Sequence, residues 1–237
     1  MFEQNHYNSR PSTPATTHLI IINILMLLAT FVFERIGVAN LNSLLGMHYW
    51  EASDFKPFQM ISYMFMHADI SHLFFNMFSL YVFGRLLELT WGSGRFIVYY
   101  LITGVGAAII QQLAWRWEIS GMIEQINALH PDTTITYGEF LLHYPYLNNF
   151  ITVGASGAVF GILLAFGMMF PNARLILLFP PIPIKAKWLV IFYGIFELLG
   201  GVAGTTGDNV AHFAHLGGML FGFILIMFWR HIRKTEF

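Results

Sequence analysis

Apolar runs of membrane-crossing length recur six times along this chain, at roughly His18–Glu34, Asp69–Leu89, Arg95–Trp115, Phe150–Phe170, Trp188–Gly204 and Asn209–Trp229. A helix needs about 20 mostly apolar residues to cross ~30 Å of hydrocarbon. The pattern therefore predicts an all-α membrane protein, a bundle of six transmembrane helices. Composition agrees: 56% of the 237 residues are hydrophobic and 11% charged, whereas soluble domains carry about a quarter charged residues. A net charge of −1 gives no sign of a nucleic-acid partner. The absence of cysteine excludes disulfides, thiolate metal sites and a cysteine nucleophile.

Basic residues set the expected orientation. Six spans put Arg10, Arg85, Arg95, Arg174, Lys185, Lys187, Arg230, Arg233 and Lys234 on one side, against Arg35, Lys56 and Arg116 on the other. The positive-inside rule then places both termini in the cytoplasm. The loops between spans one and two and between spans three and four face outward. Residues 1–17 are polar, with Pro11 and Pro14 among Ser and Thr. They are expected to be a flexible cytoplasmic tail, and residues 18–237 a single membrane domain. The first apolar run lacks a small-residue cleavage site, so no signal peptide is expected.

Polar residues inside these runs are costly in hydrocarbon and face the bundle interior or a water-filled cavity. Ser156 lies six residues into the fourth run and His215 six residues into the sixth, each about 9 Å below the outer edge at 1.5 Å per residue. His72 and Asn76 lie three and seven residues into the second run, roughly 4–11 Å deep. Four apart, they share a helix face. Four polar side chains from three spans thus fall in one layer. Gly157 with Gly161, and Gly218 with Gly222, make two G-x-x-x-G spacings just after Ser156 and His215. Such pairs let helices approach closely, close enough here for the hydroxyl and the imidazole to bond.

This layout suits acyl transfer. A serine hydroxyl becomes nucleophilic when a base takes its proton, and His215 is the candidate base. No acid stands beside His215 in the sixth run, and Asp208 lies about two turns earlier, so the expectation is a Ser–His dyad. The Ser156 N–H, His72 and the Asn76 amide are the candidate oxyanion donors. No His-Glu-x-x-His occurs, so a zinc protease lacks its ligands. Glu197 is the one deep acid and no aspartate lies deep, which leaves a two-aspartate protease unsupported.

The chain resembles the rhomboid intramembrane serine proteases from roughly Pro57 to Gly222. Gly154-Ala155-Ser156-Gly157 is similar to the family's G-x-S-G nucleophile motif, and Ala214-His215-Leu216-Gly217-Gly218-Met219-Leu220-Phe221-Gly222 to its A-H-x-x-G-x-x-x-G base motif. His72-Leu73-Phe74-Phe75-Asn76 is similar to the H-x-x-x-N oxyanion motif of the second span. His67 and Glu88 resemble, respectively, a structural histidine upstream of that span and an acid at its cytoplasmic end. The chain departs from the family where Trp-Arg is common in the first loop, since Phe58-Gln59 stands there. It departs again at Phe160, where the ring four residues after the nucleophile is often Tyr. The third loop is also longer than in compact bacterial members.

The resemblance implies a multi-pass protease of the inner (plasma) membrane. Its partners would be the lipid bilayer and single-span or multi-span membrane-protein substrates, cut near the outer face at locally unstable helices, with no cofactor and no metal. A non-catalytic rhomboid-like chaperone is the alternative, disfavoured by Ser156, His215, His72 and Asn76 occurring together. A small transporter is a third reading, disfavoured by the lack of an inverted repeat. His212 lies a turn before His215 outside the base motif, and is expected to be a polar pocket residue. Glu197 is expected to hydrogen-bond structurally. His48, His130 and His143 are expected to be solvated, and Pro180-Pro181-Ile182-Pro183 to be a stiff cytoplasmic turn.

Overall fold

A computed structural model describes residues 12–132, 134–143, 145–176, 181–203 and 211–235. Asp208, Asn209, Gly204, Pro180 and the first eleven residues of the expected tail lie outside the described residues, as does the His143 side chain.

Helix α1 spans Pro14–Arg35, so it opens four residues before the expected His18. The reason lies on another helix. Glu88 is 2% exposed, and its carboxylate accepts the N–H of Ala15 (2.9 Å), the N–H of Thr16 (2.8 Å) and the Thr16 hydroxyl (2.7 Å). The Ser93 hydroxyl donates the fourth bond at 2.6 Å. An anion at a helix N-terminus satisfies free N–H groups and opposes the helix dipole, so the polar Pro14–Thr17 segment joins the helix instead of a tail.

The first loop holds α2 (Leu41–Leu45), β1 (Met47–His48) and α3 (Gln59–Ser62), followed by a 3₁₀ turn at Tyr63–Phe65. Gln59 is 1% exposed. Its amide donates to the carbonyls of Leu44 and Asp54 and accepts from the N–H groups of His48 and Lys56. A guanidinium has no acceptor and could not take those last two, so the Phe58-Gln59 departure carries its own loop architecture. His48 is not solvated as expected. It is 2% exposed, with Nδ1 3.0 Å from the Asn148 carbonyl and Nε2 2.7 Å from that of Ser43. His130 is exposed.

The second span runs through α4 (Ile70–Ser79), a π turn (Leu80–Gly84) and α5 (Arg85–Trp91). Only Gly92 separates it from α6, at φ +81°, a left-handed turn that glycine adopts without steric cost. Helix α6 (Ser93–Leu129) has 37 residues, about 55 Å at 1.5 Å per residue. It outruns the expected third span by more than three turns. Its buried side chains continue through Trp115, Ile119 and Ile123. Much of the expected third loop is therefore helix, continued by α7 (Tyr137–His143) and a 3₁₀ turn at Pro145–Asn149.

The fourth run is also not one long helix. Residues Ile151–Thr152 form β2, antiparallel to β1 with Met47 opposite Thr152 and His48 opposite Ile151. Helix α8 begins only at Ser156 and ends at Met169. Its buried residues, Gly157 through Gly167, lie all around its circumference. A short helix and non-helical backbone are tolerated at membrane depth where protein surrounds them. Strands β3 (Arg174–Ile176) and β4 (Pro183–Lys185) then pair, so the expected proline-rich turn ends in a strand at Pro183. Helix α9 spans Ala186–Ala203 and α10 spans His212–Thr235.

Among the described residues, five helical segments, counting the second span from Ile70 to Trp91 as one, are long and apolar enough to cross a membrane, with α8 as a shorter apolar sixth. The molecule is thus an integral, all-α membrane bundle. Helices α6, α8 and α10 pack together at its centre. Aliphatic and aromatic residues of α1, α4 and α9, such as Leu25, Phe75 and Leu199, face outward.

Candidate active site

Glycine sets the spacing of the central helices. A Cβ on Gly218 would stand 1.8 Å from the Gly157 carbonyl oxygen, and one on Gly161 would stand 2.7 Å from Thr103 and 3.0 Å from the Gly218 carbonyl oxygen. A Cβ on Gly222 would meet the Tyr99 hydroxyl at 2.3 Å. Helices α8 and α10 therefore touch backbone to backbone. At that contact His215 Nε2 lies 2.8 Å from Ser156 Oγ. Phe160 stacks on the His215 ring with centroids 4.2 Å apart and planes 7° from parallel. One turn of α8 separates Phe160 from Ser156, so one helix face carries both the hydroxyl and the ring that fixes the imidazole plane.

Ser156 is the first residue of α8, not a residue six deep in a helix as expected. The residue before it, Ala155, offers no side-chain cap. The first N–H groups of a helix lack intrahelical acceptors, so the Ser156 N–H and its successors are unpaired by the helix itself. Ser156 itself lines a cavity of about 380 Å³ together with His72, Asn76, Thr152, Val153, Phe160 and His215, among others. A helix N-terminus of this kind favours negative charge.

His72 and Asn76 enter the same cavity from α4. Asp69 caps that helix by accepting the His72 N–H at 2.8 Å and the Ser71 hydroxyl at 2.6 Å. Asn76 is 5% exposed and donates its amide to the His72 carbonyl at 3.0 Å. Gly154 has φ +133°, and its N–H donates to the Tyr63 carbonyl at 2.9 Å. A Cβ there would be 2.8 Å from both Cε1 and Nε2 of His72 and 3.6 Å from Ser156 Oγ. His67 packs edge-to-face on His72 with centroids 5.0 Å apart. Burial pushes its imidazole down to about 3, so it stays neutral.

Sequence reasoning expected no acid beside His215, and within α10 none occurs. Helix α9 supplies one: Glu197 Oε2 lies 2.9 Å from His215 Nδ1 and 2.6 Å from His212 Nδ1. His212 does not line the cavity as expected; its ring is buried behind the base, against Glu197. The only sequence signal for this trio was an acid at the depth of the base.

The family model described as the Rhomboid domain matches residues 54–231. The chain is 27% identical over 228 residues to Rhomboid-like protein 11, chloroplastic, of Arabidopsis thaliana, covering 88% of this chain and 62% of that protein. It is 30% identical over 178 residues to RHOMBOID-like protein 12, mitochondrial, of the same plant, covering 75% and 47%. It is 28% identical over 173 residues to Rhomboid protease AarA of Providencia stuartii, covering 68% and 52%. The chain thus spans roughly half the length of these relatives. The matched segment includes α4, α8, α9 and most of α10 with all the cavity side chains described above, and the chain belongs to the rhomboid family.

Proposed function

We propose that this protein is an intramembrane serine endopeptidase, with Ser156 as nucleophile and His215 as base. The 2.8 Å approach of His215 Nε2 to Ser156 Oγ, at an uncapped helix N-terminus facing a cavity, carries the reading. Nε2 takes the hydroxyl proton as Oγ bonds to the substrate carbonyl carbon. The oxyanion forms beside the Ser156 N–H, with the His72 ring and the Asn76 amide as further donors. Asn76 must then exchange its bond to the His72 carbonyl for one to the oxyanion. The imidazolium returns its proton to the leaving nitrogen as the C–N bond breaks, leaving an acyl-serine. Water then loses a proton to Nε2 and attacks the ester carbon, and the acid product leaves with Oγ reprotonated.

The substrates are single-span or multi-span membrane proteins. A helix hides its carbonyls in hydrogen bonds, so locally unstable segments with small residues beside the cut are favoured. No cofactor or metal enters the reaction. We assign residues 18–237, plus the first turn of α1, to one membrane domain with both termini cytoplasmic, in the plasma membrane. The excess of Lys and Arg on that side supports the orientation.

The test is purified protein in detergent with a model transmembrane substrate and a fluorophosphonate probe. Wild type should cut and be labelled, and Ser156→Ala should do neither. Equal cleavage by Ser156→Ala would overturn the reading. A labelled protein that cuts no membrane substrate would leave only a reactive serine.

A further inference from the structure

Glu197 is 5% exposed, on a helix whose neighbouring side chains Phe196, Leu198 and Leu199 all face outward. A buried carboxylate is costly unless paired, and this one is paired with imidazoles alone among the described residues. Its Oε2 faces His212 Nδ1 at 2.6 Å and His215 Nδ1 at 2.9 Å. The approach to His215 is oblique: the separation is that of an ion pair, but the oxygen lies off the direction of a well-formed N–H···O bond. Such bonds in unliganded sites often tighten only when substrate binds.

The consequence concerns tautomers. A neutral imidazole carries one proton and one lone pair. A carboxylate at Nδ1 draws the proton to that nitrogen and leaves the lone pair on Nε2, where Ser156 Oγ stands 2.8 Å away. The opposite tautomer would point an N–H at the hydroxyl and could not accept its proton. His212 spends its own Nδ1–H on the same oxygen and so braces the carboxylate from the far side. The three side chains also offer one ligand atom each to a cation. With Oε2 already against both nitrogens, however, the oxygen occupies the space an ion would need, and the contacts favour a proton network.

We infer that Glu197 is a positioning residue for the base: lodged on α9, it fixes the Nδ1-protonated form of His215 and stabilises the imidazolium formed during acyl transfer. The inference rests on the protease reading of Ser156 and His215. It leaves Ser156 and His215 as the reacting pair and braces the base with an acid from a different helix.

Two measurements test it. The first is ¹⁵N NMR of histidine-labelled wild type in detergent, with the His215 signals assigned by comparison with His215→Asn. The neutral ring should carry its proton on Nδ1, and a proton on Nε2 would overturn the inference. The second is kinetics of Glu197→Gln. Its kcat should fall by about a hundredfold, less than the ~10⁴ of a well-aligned triad acid made neutral because the contact with Nδ1 is oblique, with KM changed by less than about twofold and fluorophosphonate labelling slowed in parallel. A merely structural acid would alter yield or KM and leave the labelling rate alone. If Glu197→Gln does not fold, the wild-type tautomer decides. A wild type that neither cuts nor is labelled overturns the protease reading and this inference with it. A competent wild type matched by Glu197→Gln overturns only the role of Glu197.

Discussion

His72 lies against the bare backbone of Gly154: a methyl on that glycine would sit 2.8 Å from two atoms of the imidazole. The same glycine has φ +133°, a conformation that costs other residues about 1–3 kcal/mol. Gly154→Ala should therefore act twice, straining the entry to α8 and pushing His72 out of the cavity. The expected outcome is a lowered thermal midpoint in detergent together with loss of cleavage. An alanine variant as stable and as active as wild type would mean that His72 is not held where the structure puts it.

The oxyanion assignment predicts unequal kinetic effects. Removing one such donor typically costs about 3–4 kcal/mol of transition-state stabilisation. His72→Ala and Asn76→Ala should each lower kcat by two to three orders of magnitude on that scale, with little change in KM. Fully active variants at both positions would move the oxyanion site elsewhere. Asn76 also anchors to the His72 carbonyl, so its replacement should bring a small loss of stability as well.

Gly218 tests the helix contact without touching a reacting group. A Cβ there would meet the Gly157 carbonyl oxygen at 1.8 Å, and backbone cannot step aside as a flexible side chain can. Gly218→Ala should destabilise the bundle by at least the ~1–3 kcal/mol typical of overpacking. Because the clash parts α8 from α10, cleavage should fall more steeply than the thermal midpoint does.

Glu88 tests the far end of the molecule. In Glu88→Gln two of the four donors on the carboxylate would face an amide NH₂. A buried donor left unpaired costs about 1–3 kcal/mol. Hydrogen exchange at the Ala15 and Thr16 amides should quicken and the thermal midpoint should drop. The chemistry at Ser156, at the other end of α4 and α5, should remain.

The motifs themselves were legible because each is local. Gly154-Ala155-Ser156-Gly157, His72 with Asn76, and His215 with its following glycines carry their spacing in the sequence. Helical periodicity and glycine then suffice to bring them near one another. Hydropathy could not show where α8 starts, because the stretch before Ser156 is as apolar as a helix while forming β2 and a turn. Nor could it show where α6 stops, since helix outside the bilayer looks like loop once polar residues return. Glu197 was visible as a deep acid, but its partners sit on another helix. Only the rotation of α9 against α10 decides between a hydrogen bond to its own surroundings and a place beside the base. His48 escapes the sequence for a similar reason: loop position suggests solvent, whereas its ring is enclosed between the carbonyls of Ser43 and Asn148.

The 37-residue α6 is about 55 Å long against a hydrocarbon layer of ~30 Å, so a stiff rod stands well clear of the lipid. The protein has no native cysteine. A single thiol placed at Leu129, which is 77% exposed near the tip of that rod, would be the sole attachment point for a fluorophore or spin label. Its height above the lipid would then gauge how the whole molecule tilts in bilayers of different thickness.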